Sequence, residues 1–338
     1  MKKVYEILAL NKPIVGQWGI EIEAEGEGMK ATESKWWRSE DDGSLRGRFP
    51  GSRHEWVLKK PIDLEKVEQS LLDLVKEQHA AKINFSFRTS VHVHMNVQEL
   101  TFAQVANVLY TYLLLEEPLI NYCGESRRGN RFCLRLRDAE GLMAHILNLI
   151  DIGEKGLVKI KQDNIRYAAI NLEAIKKYGS IEFRGMRGTM DVHTILTWVN
   201  LLNSIKQFAV AMEDVEAIHD MFRKLGAKEF MKKVFGPLTK ELVGEFERDI
   251  NYSYSLSLDL PYAYKAFKER PLPPPPIPGV LDHDLPDIRE DMAFADWQNM
   301  IVQDMARRAV IQPVEVKPGP ARRIAPQVIV DDMVEFDL

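Results

Sequence analysis

Gly19-Ile20-Glu21-Ile22-Glu23 alternates apolar and acidic residues. Successive side chains of a strand leave from opposite faces, so Glu21 and Glu23 share one face while Ile20 and Ile22 share the other. Two carboxylates side by side repel unless positive charge lies between them. Two further couplets have the same design, His92-Val93-His94 and Glu182-Phe183-Arg184. Three such segments, each polar on one side and apolar on the other, predict strands of a single sheet whose polar face lines a cleft.

The intervening segments predict what surrounds that sheet. Residues 18–25 are the first strand and Glu55-Trp56-Val57-Leu58 the second, stopped by Pro61. Between them, residues 26–54 form a long loop rich in Gly, Ser and charge, with the pair Trp36-Trp37 and a turn at Asp42-Gly43-Ser44. Asp63 caps a helix whose stripe is Leu64, Val67, Leu71, Leu74 and Val75. After the 90–97 strand, Thr101 and Gln104 make a capping box for a helix that ends at Glu117, before Pro118. Residues 121–137 are an arginine-dense loop, and Asp138 opens a helix through Ile150. Arg166–Leu172 and Ser180–Arg184 predict an antiparallel hairpin that turns around Lys177-Tyr178-Gly179. Asp191 caps a long apolar helix to about Met212, and another starts at Asp214. Strands and helices alternate without the Gly-rich turn of a dinucleotide fold. The expected class is α+β, an antiparallel or mixed sheet with helices packed on one side.

Of the 338 residues, 45% are hydrophobic, enough for a substantial core. No apolar run reaches the roughly 20 residues that span a bilayer, and the start Met1-Lys2-Lys3-Val4-Tyr5-Glu6 lacks the apolar stretch of a signal peptide. Cys123 and Cys133 suit reduced thiols, so the expected location is cytoplasmic. A net charge of −5 gives no general case for nucleic-acid binding. That charge is uneven. Residues 271–338 hold 12 acidic and 6 basic residues and 11 of the 17 prolines, which sets a boundary between a nearly neutral domain, 1–270, and an acidic extension. The extension opens with a polyproline II linker at residues 271–278. Asp291–Ile311 follows as a candidate docking helix, and an acidic-hydrophobic peptide ends the chain, so a protein partner or a neighbouring subunit is expected there.

The couplets carry the chemistry. Imidazoles two apart on a strand, as in His92 and His94, are spaced to reach one ion. With Glu21, Glu23 and Glu182 they supply a carboxylate-rich set that favours Mg²⁺ or Mn²⁺. The plain alternatives are a solvated strand face, histidines with ordinary hydrogen bonds, and a Glu182–Arg184 ion pair. Arg184-Gly185-Met186-Arg187-Gly188 suits close approach to an anion. Arg127, Arg128, Arg131, Arg135 and Arg137, around Gly129-Asn130, suit a polyphosphate or form a solvated basic loop.

The ordered set Gly19–Glu23, Asp42-Gly43-Ser44-Leu45, Glu55-Trp56-Val57, His92-Val93-His94-Met95-Asn96, Arg128-Gly129-Asn130-Arg131 and Ile181–Arg184 resembles the amidoligase family over roughly residues 15–215. These are carboxylate–amine ligases, found in phage and bacteria among others, with a fold similar to glutamine synthetase and glutamate–cysteine ligase. The resemblance implies that Glu21, Glu23, His92 and Glu182 hold metal, that His94 faces the nucleotide or substrate, and that Arg184 contacts phosphate. It further implies that Asp42 binds or deprotonates the incoming amine and that Glu55 lies beside the substrate, although Lys59-Lys60 departs from the family's Ser-Pro there. Arg127, Arg128 and Arg131 would then meet the ATP phosphates, Arg187 would join the catalytic groups, and the 26–54 loop with Trp36 and Trp37 would be a lid. The implied reaction uses ATP and Mg²⁺ or Mn²⁺ to convert a carboxylate to an acyl phosphate that an amine displaces. A peptide, a protein or a cell-wall fragment would serve as substrate. A metal-dependent hydrolase or nuclease with the same ligands, and a non-catalytic adaptor docking through its tail, are the alternatives.

Overall fold

The alternating stretches become strands of one antiparallel sheet, and the reason lies on their apolar side. The computed structural model describes residues 1–10, 13–46, 52–139, 141–160, 167–244 and 246–270. The proline-rich linker, the 291–311 helix and the acidic end lie outside the described residues. In chain order the elements are α1 (Val4–Ile7), β1 (Trp18–Glu27), β2 (Trp37–Glu40), β3 (Arg53–Leu58), α2 (Leu64–Glu77), β4 (Lys82–Asn84), β5 (Ser90–Asn96) and α3 (Phe102–Cys123). They continue with α4 (Leu142–Ile152), α5 (Gly156–Lys159), β6 (Ile170–Asn171), α6 (Glu173–Tyr178), β7 (Ser180–Arg187), α7 (Val192–Ala211), α8 (Val215–Phe235), α9 (Phe246–Ser257) and α10 (Asp259–Glu269).

The sheet runs β2-β3-β1-β5-β7-β6, with β4 added against the end of β1. Every pairing is antiparallel. Trp18, Ile20, Ile22 and Ala24 of β1, Val91, Val93 and Met95 of β5, and Ile181 and Phe183 of β7 are buried on one face. Helices cover that face. The Tyr112 ring of α3 lies 5.1 Å from Phe183, and Lys206 of α7 reaches the Asn96 carbonyl at 2.8 Å. Helix α3 is apolar nearly all round, the mark of a helix surrounded by protein, and its buried residues run from Phe102 to Cys123. Its Thr101–Gln104 capping box forms as expected, and Asp191 caps α7 by accepting the Thr194 N–H at 2.7 Å. Among the described residues no helix is long and apolar enough to cross a membrane.

Several local expectations fail, each for a physical reason. Helix α3 does not stop before Pro118 but runs through it to Cys123. An internal proline costs about 3 kcal/mol, whereas full burial of a Leu or Ile gains about 1.5–3 kcal/mol each, and Leu119, Ile120 and Cys123 are all fully buried. Asp138 opens no helix, because its carboxylate accepts from Arg135 at 2.6 Å; α4 starts after Gly141, which has φ +86°. The hairpin partner of β7 is only Ile170–Asn171, and the connection is the short helix α6 rather than a tight turn. Trp36 and Trp37, expected on a lid, instead pack against α2. Trp37 is fully buried in β2, its indole donates to the Ser70 carbonyl of α2 at 2.8 Å, and Trp36 donates to Asp73 on the same helix at 3.0 Å. The pair ties the edge strand to a helix.

Candidate metal centre on the polar face of the sheet

Strand register assembles the site. Glu21 of β1 lies opposite His92 of β5 on one side and Val57 of β3 on the other. Glu23 faces Glu55, and His94 stands between Gly19 and Glu182. Because all these residues have the same parity, four neighbouring strands deliver their polar side chains to one surface. Gly19 eases this crowding, since a Cβ there would lie only 3.2 Å from the His94 Cβ and push on that ring. Between Val91 and Val93 the β5–β7 register shifts, so β7 carries one extra residue at Arg184-Gly185. A bulge of this kind re-aims the side chain it carries. Arg184 reaches back to Glu182 Oε1 at 2.5 Å.

The result is a dense acid–imidazole cluster. His92 Nδ1 lies 3.2 Å from Glu21 Oε2 and 3.4 Å from Glu182 Oε1. His94 Nε2 lies 3.2 Å from Glu21 Oε1. Asn171 donates to Glu182 Oε2 at 2.6 Å, and Ser180 Oγ is 3.1 Å from His94 Nδ1. Two triads have ligand atoms all within 4.8 Å of one another, Glu21–Glu55–His92 and Glu21–His94–Glu182. Glu21 belongs to both.

These residues fit a divalent cation. For metal–ligand bonds of about 2.1 Å, adjacent corners of an octahedron are about 3.0 Å apart, close to the three separations of 3.2–3.4 Å above. His94 Nε2 is buried and makes no hydrogen bond despite its proximity to Glu21, as expected of a nitrogen whose partner is an ion. Carboxylates mixed with imidazole suit Mn²⁺ as well as Mg²⁺.

Protonation follows the same crowding. Burial, then the charges of Glu21, Glu23, Asp42 and Glu40, push Glu55 up to about 9. Burial also raises Glu23, in spite of His92 and Ser90. Burial acts to raise Glu21 as well, but the neighbouring imidazoles of His92 and His94 outweigh it and hold the carboxyl well below the usual range. For Glu182, Arg184 and the two histidines overcome burial and lower it. Burial would depress His94, but Glu21 overrides it and raises the imidazole. Asp42 is lowered, because the Ser44 hydroxyl and N–H outweigh its burial; these bonds are 2.6 and 2.7 Å.

Of the residues expected to act, the sheet brings together Glu21, Glu55, His92, His94, Glu182 and Arg184. Glu23 sits one step aside, 3.9 Å from His92 Nε2 and bonded to Ser90. Asp42 adjoins Glu23, with which it shares a hydrogen bond. The structure uses the other arginines differently. Arg127 is buried and donates to the carbonyls of Gly185, Arg184 and Thr89, so its guanidinium is spent on the fold. Arg187 donates to the Tyr122 and Cys123 carbonyls at 3.2 Å each, at the end of α3. Arg128 binds Asn121, and Arg131 lies over the Phe132 ring at 4.8 Å. Ser90, Ser180 and Asn171 were not among the residues expected to act. The two serines continue the period of two by one step, from His92 to Ser90 and from Glu182 to Ser180. Asn171 enters only through the pairing of β6 with β7.

Residues 57–206 match the family model described as "Putative amidoligase enzyme". This segment is similar to the amidoligase family. The matched segment contains His92, His94, Glu182 and Arg184, while Glu21, Glu23, Asp42 and Glu55 precede it and join through β1 and β3. No curated protein matches the chain.

Proposed function

We propose that this chain is an ATP-dependent carboxylate–amine ligase with a glutamine synthetase-like sheet, working with Mg²⁺ or Mn²⁺ through an acyl phosphate. The observation that carries the reading is Glu21 shared between two cation-binding triads, with Arg184 beside them. A donor carboxylate is a poor electrophile. Its oxygen attacks the γ-phosphorus of ATP, ADP departs, and the amine nitrogen then attacks the acyl carbon and expels phosphate. Glu21, Glu55, His92, His94 and Glu182 would hold the cations, which supply charge neutralisation at the transferring phosphoryl group. Arg184 adds a fixed positive charge that Glu182 orients. Asp42, kept ionised by Ser44, binds the acceptor as an ammonium and takes its proton as the C–N bond forms. We assign residues 271–338 to contacts with a protein partner, outside the chemistry.

The test is ATP turnover by the full chain, screened over carboxylate and amine pairs with products read by mass spectrometry. Glu21→Ala, Glu23→Ala and Glu182→Ala should each abolish metal-dependent turnover while leaving thermal unfolding cooperative. Full turnover in all three variants would overturn the assignment.

A further inference from the structure

Two arginines beside the cleft keep most of their hydrogen-bonding capacity. Among the described residues, Arg88 and Arg131 have no acidic partner, whereas Arg53 pairs with Asp41 and Arg184 with Glu182. The Arg88 guanidinium lies 5.1 Å from the Phe87 ring and 5.5 Å from Phe132, and that of Arg131 lies 4.8 Å from Phe132. The two rings stack at 6.4 Å. Asn130, itself buried, ties them together. Its amide donates to the Phe87 carbonyl at 2.8 Å, and its side-chain oxygen accepts the Phe132 N–H at 3.0 Å. Phe87 nevertheless stays 56% exposed. This is a preformed surface with an open aromatic face and two positive charges. A guanidinium that lies over a ring keeps its N–H edge for a carboxylate.

One turn joins this surface to the acid–imidazole cluster. Arg88 Nη1 donates to the Ser44 carbonyl at 3.3 Å, and the N–H and hydroxyl of the same Ser44 donate to Asp42. Asp42 in turn adjoins Glu23. Ser44 thus stands between a carboxylate and a guanidinium and holds them no more than about 10 Å apart. An ammonium and a carboxylate on one carbon, with a hydrogen bond at each end, span that gap. We propose that the amine substrate is an α-amino acid with an aromatic side chain, whose ammonium meets Asp42, whose carboxylate meets Arg88 and whose ring lies on Phe87. Arg131 adds a second positive charge at the outer edge. The inference rests on the reading of Asp42 as the acceptor site. It excludes a plain amine and a protein lysine side chain, neither of which carries a carboxylate within reach of Arg88.

The experiment is titration calorimetry of the full chain with Mg²⁺ and three probes. These are L-phenylalanine, phenethylamine, which lacks the carboxylate, and 3-phenylpropanoate, which lacks the amine. L-Phenylalanine should bind about 10–100-fold more tightly than either analogue. Arg88→Ala should lower its affinity to that of phenethylamine and leave phenethylamine itself unchanged. Asp42→Asn should lower it to that of 3-phenylpropanoate. Equal binding of the three probes, no binding of L-phenylalanine, or an Arg88→Ala protein that keeps the preference would overturn the proposal. So would an Arg88→Ala protein that loses phenethylamine equally, the mark of a displaced Asp42 turn, or one that loses ATP instead. Should Arg88→Ala fail to fold, the three probes on the wild type decide, together with Arg88→Lys, which loses the fork and should weaken L-phenylalanine alone. The ligase reading fails separately. L-Phenylalanine held through Arg88 by a protein that turns over no ATP would keep this site and remove the ligase. ATP-dependent ligation to phenethylamine as fast as to L-phenylalanine would keep the ligase and remove this site.

Discussion

Replacing Glu55 by Gln should stabilise the cation-free protein and remove most of its response to Mn²⁺. In the folded state burial and four neighbouring carboxylates lift Glu55 from 4.5 to about 9. Between those values the unfolded chain has released the Glu55 proton and the folded chain still holds it. The folded state then binds more protons, so stability falls as pH rises through this window. A pH of 7 lies about 2.5 units above the unfolded value, which gives a loss of about 3 kcal/mol at 1.36 kcal/mol per unit. Gln cannot ionise, so Glu55→Gln escapes this loss and should exceed the wild type by up to about 3 kcal/mol at pH 7, or about 6–12 °C in Tm. Below about pH 4.5, where the unfolded chain also holds the proton, the two proteins should converge. A cation at 100 times its Kd adds about 2.7 kcal/mol to the protein that binds it, so saturating Mn²⁺ should close the gap by raising the wild type alone. The assay is thermal and urea unfolding of both proteins in EDTA across this pH range, repeated with Mn²⁺. Parallel pH dependences in EDTA, or a variant less stable than wild type at pH 7, would refute the idea that Glu55 is held against its neighbours' charge.

Three further outcomes follow from particular contacts. Gly19→Ala would place a Cβ 3.2 Å from the His94 Cβ and should cost Mn²⁺ affinity about tenfold with little change in Tm; equilibrium titration beside a melting curve checks both. Lys206 is lowered to about 8 by burial, so the unfolded chain holds the extra proton between about 8 and 10.5 and wild-type stability should rise with pH there. The penalty below that window, about 3 kcal/mol, matches or exceeds the roughly 1.5–3 kcal/mol of its charged bond to the Asn96 carbonyl. Lys206→Met should therefore be as stable or more stable at pH 7, by up to about 2 kcal/mol, and lack the alkaline rise, as urea unfolding at the two pH extremes would show. Trp37→Ala should cost about 3–5 kcal/mol as a core truncation and Trp36→Ala much less, measured by the same unfolding; a lid tryptophan at position 37 would leave stability unchanged.

What the sequence could reveal depended on whether a segment has a period. In β1, β5 and β7 a period of two fixes which side chains share a face, so Glu21, His92, His94 and Glu182 were legible as one set. Which of them touch depended on register, and register comes from pairing. Nothing local in Glu55-Trp56-Val57 says that Glu55 will face Glu23 or complete a triad with Glu21 and His92. The arginine-dense loop has no period at all. Spacing there does not distinguish a guanidinium aimed at a ligand from one aimed at carbonyls, and Arg127 proved to be the second kind. Pro118 was misleading because local propensity opposed a larger burial energy that only the packed structure supplies.

Arg184 and Arg187 show how one residue of backbone separates two roles that their motif had joined. In an unbroken strand, 180, 182, 184 and 186 would all face the cleft, and Met186 would stand beside Ser90 and His92. The extra residue in β7 resets the parity, so that Met186 pairs with Val91 and is fully buried in the core. The bulge can form there because Gly185 leaves room; a Cβ on it would meet the Ile120 side chain at 2.8 Å. Arg184, before the shift, remains with Glu182. Arg187, after it, pairs with Ser90 in register, but its side chain goes to the C-terminal carbonyls of α3, where a helix end concentrates negative charge and favours a cation. The glycine that suggested an anion site therefore divides it, leaving Arg184 as the arginine beside the acid–imidazole cluster and giving Arg187 the task of fixing the helix end against the sheet.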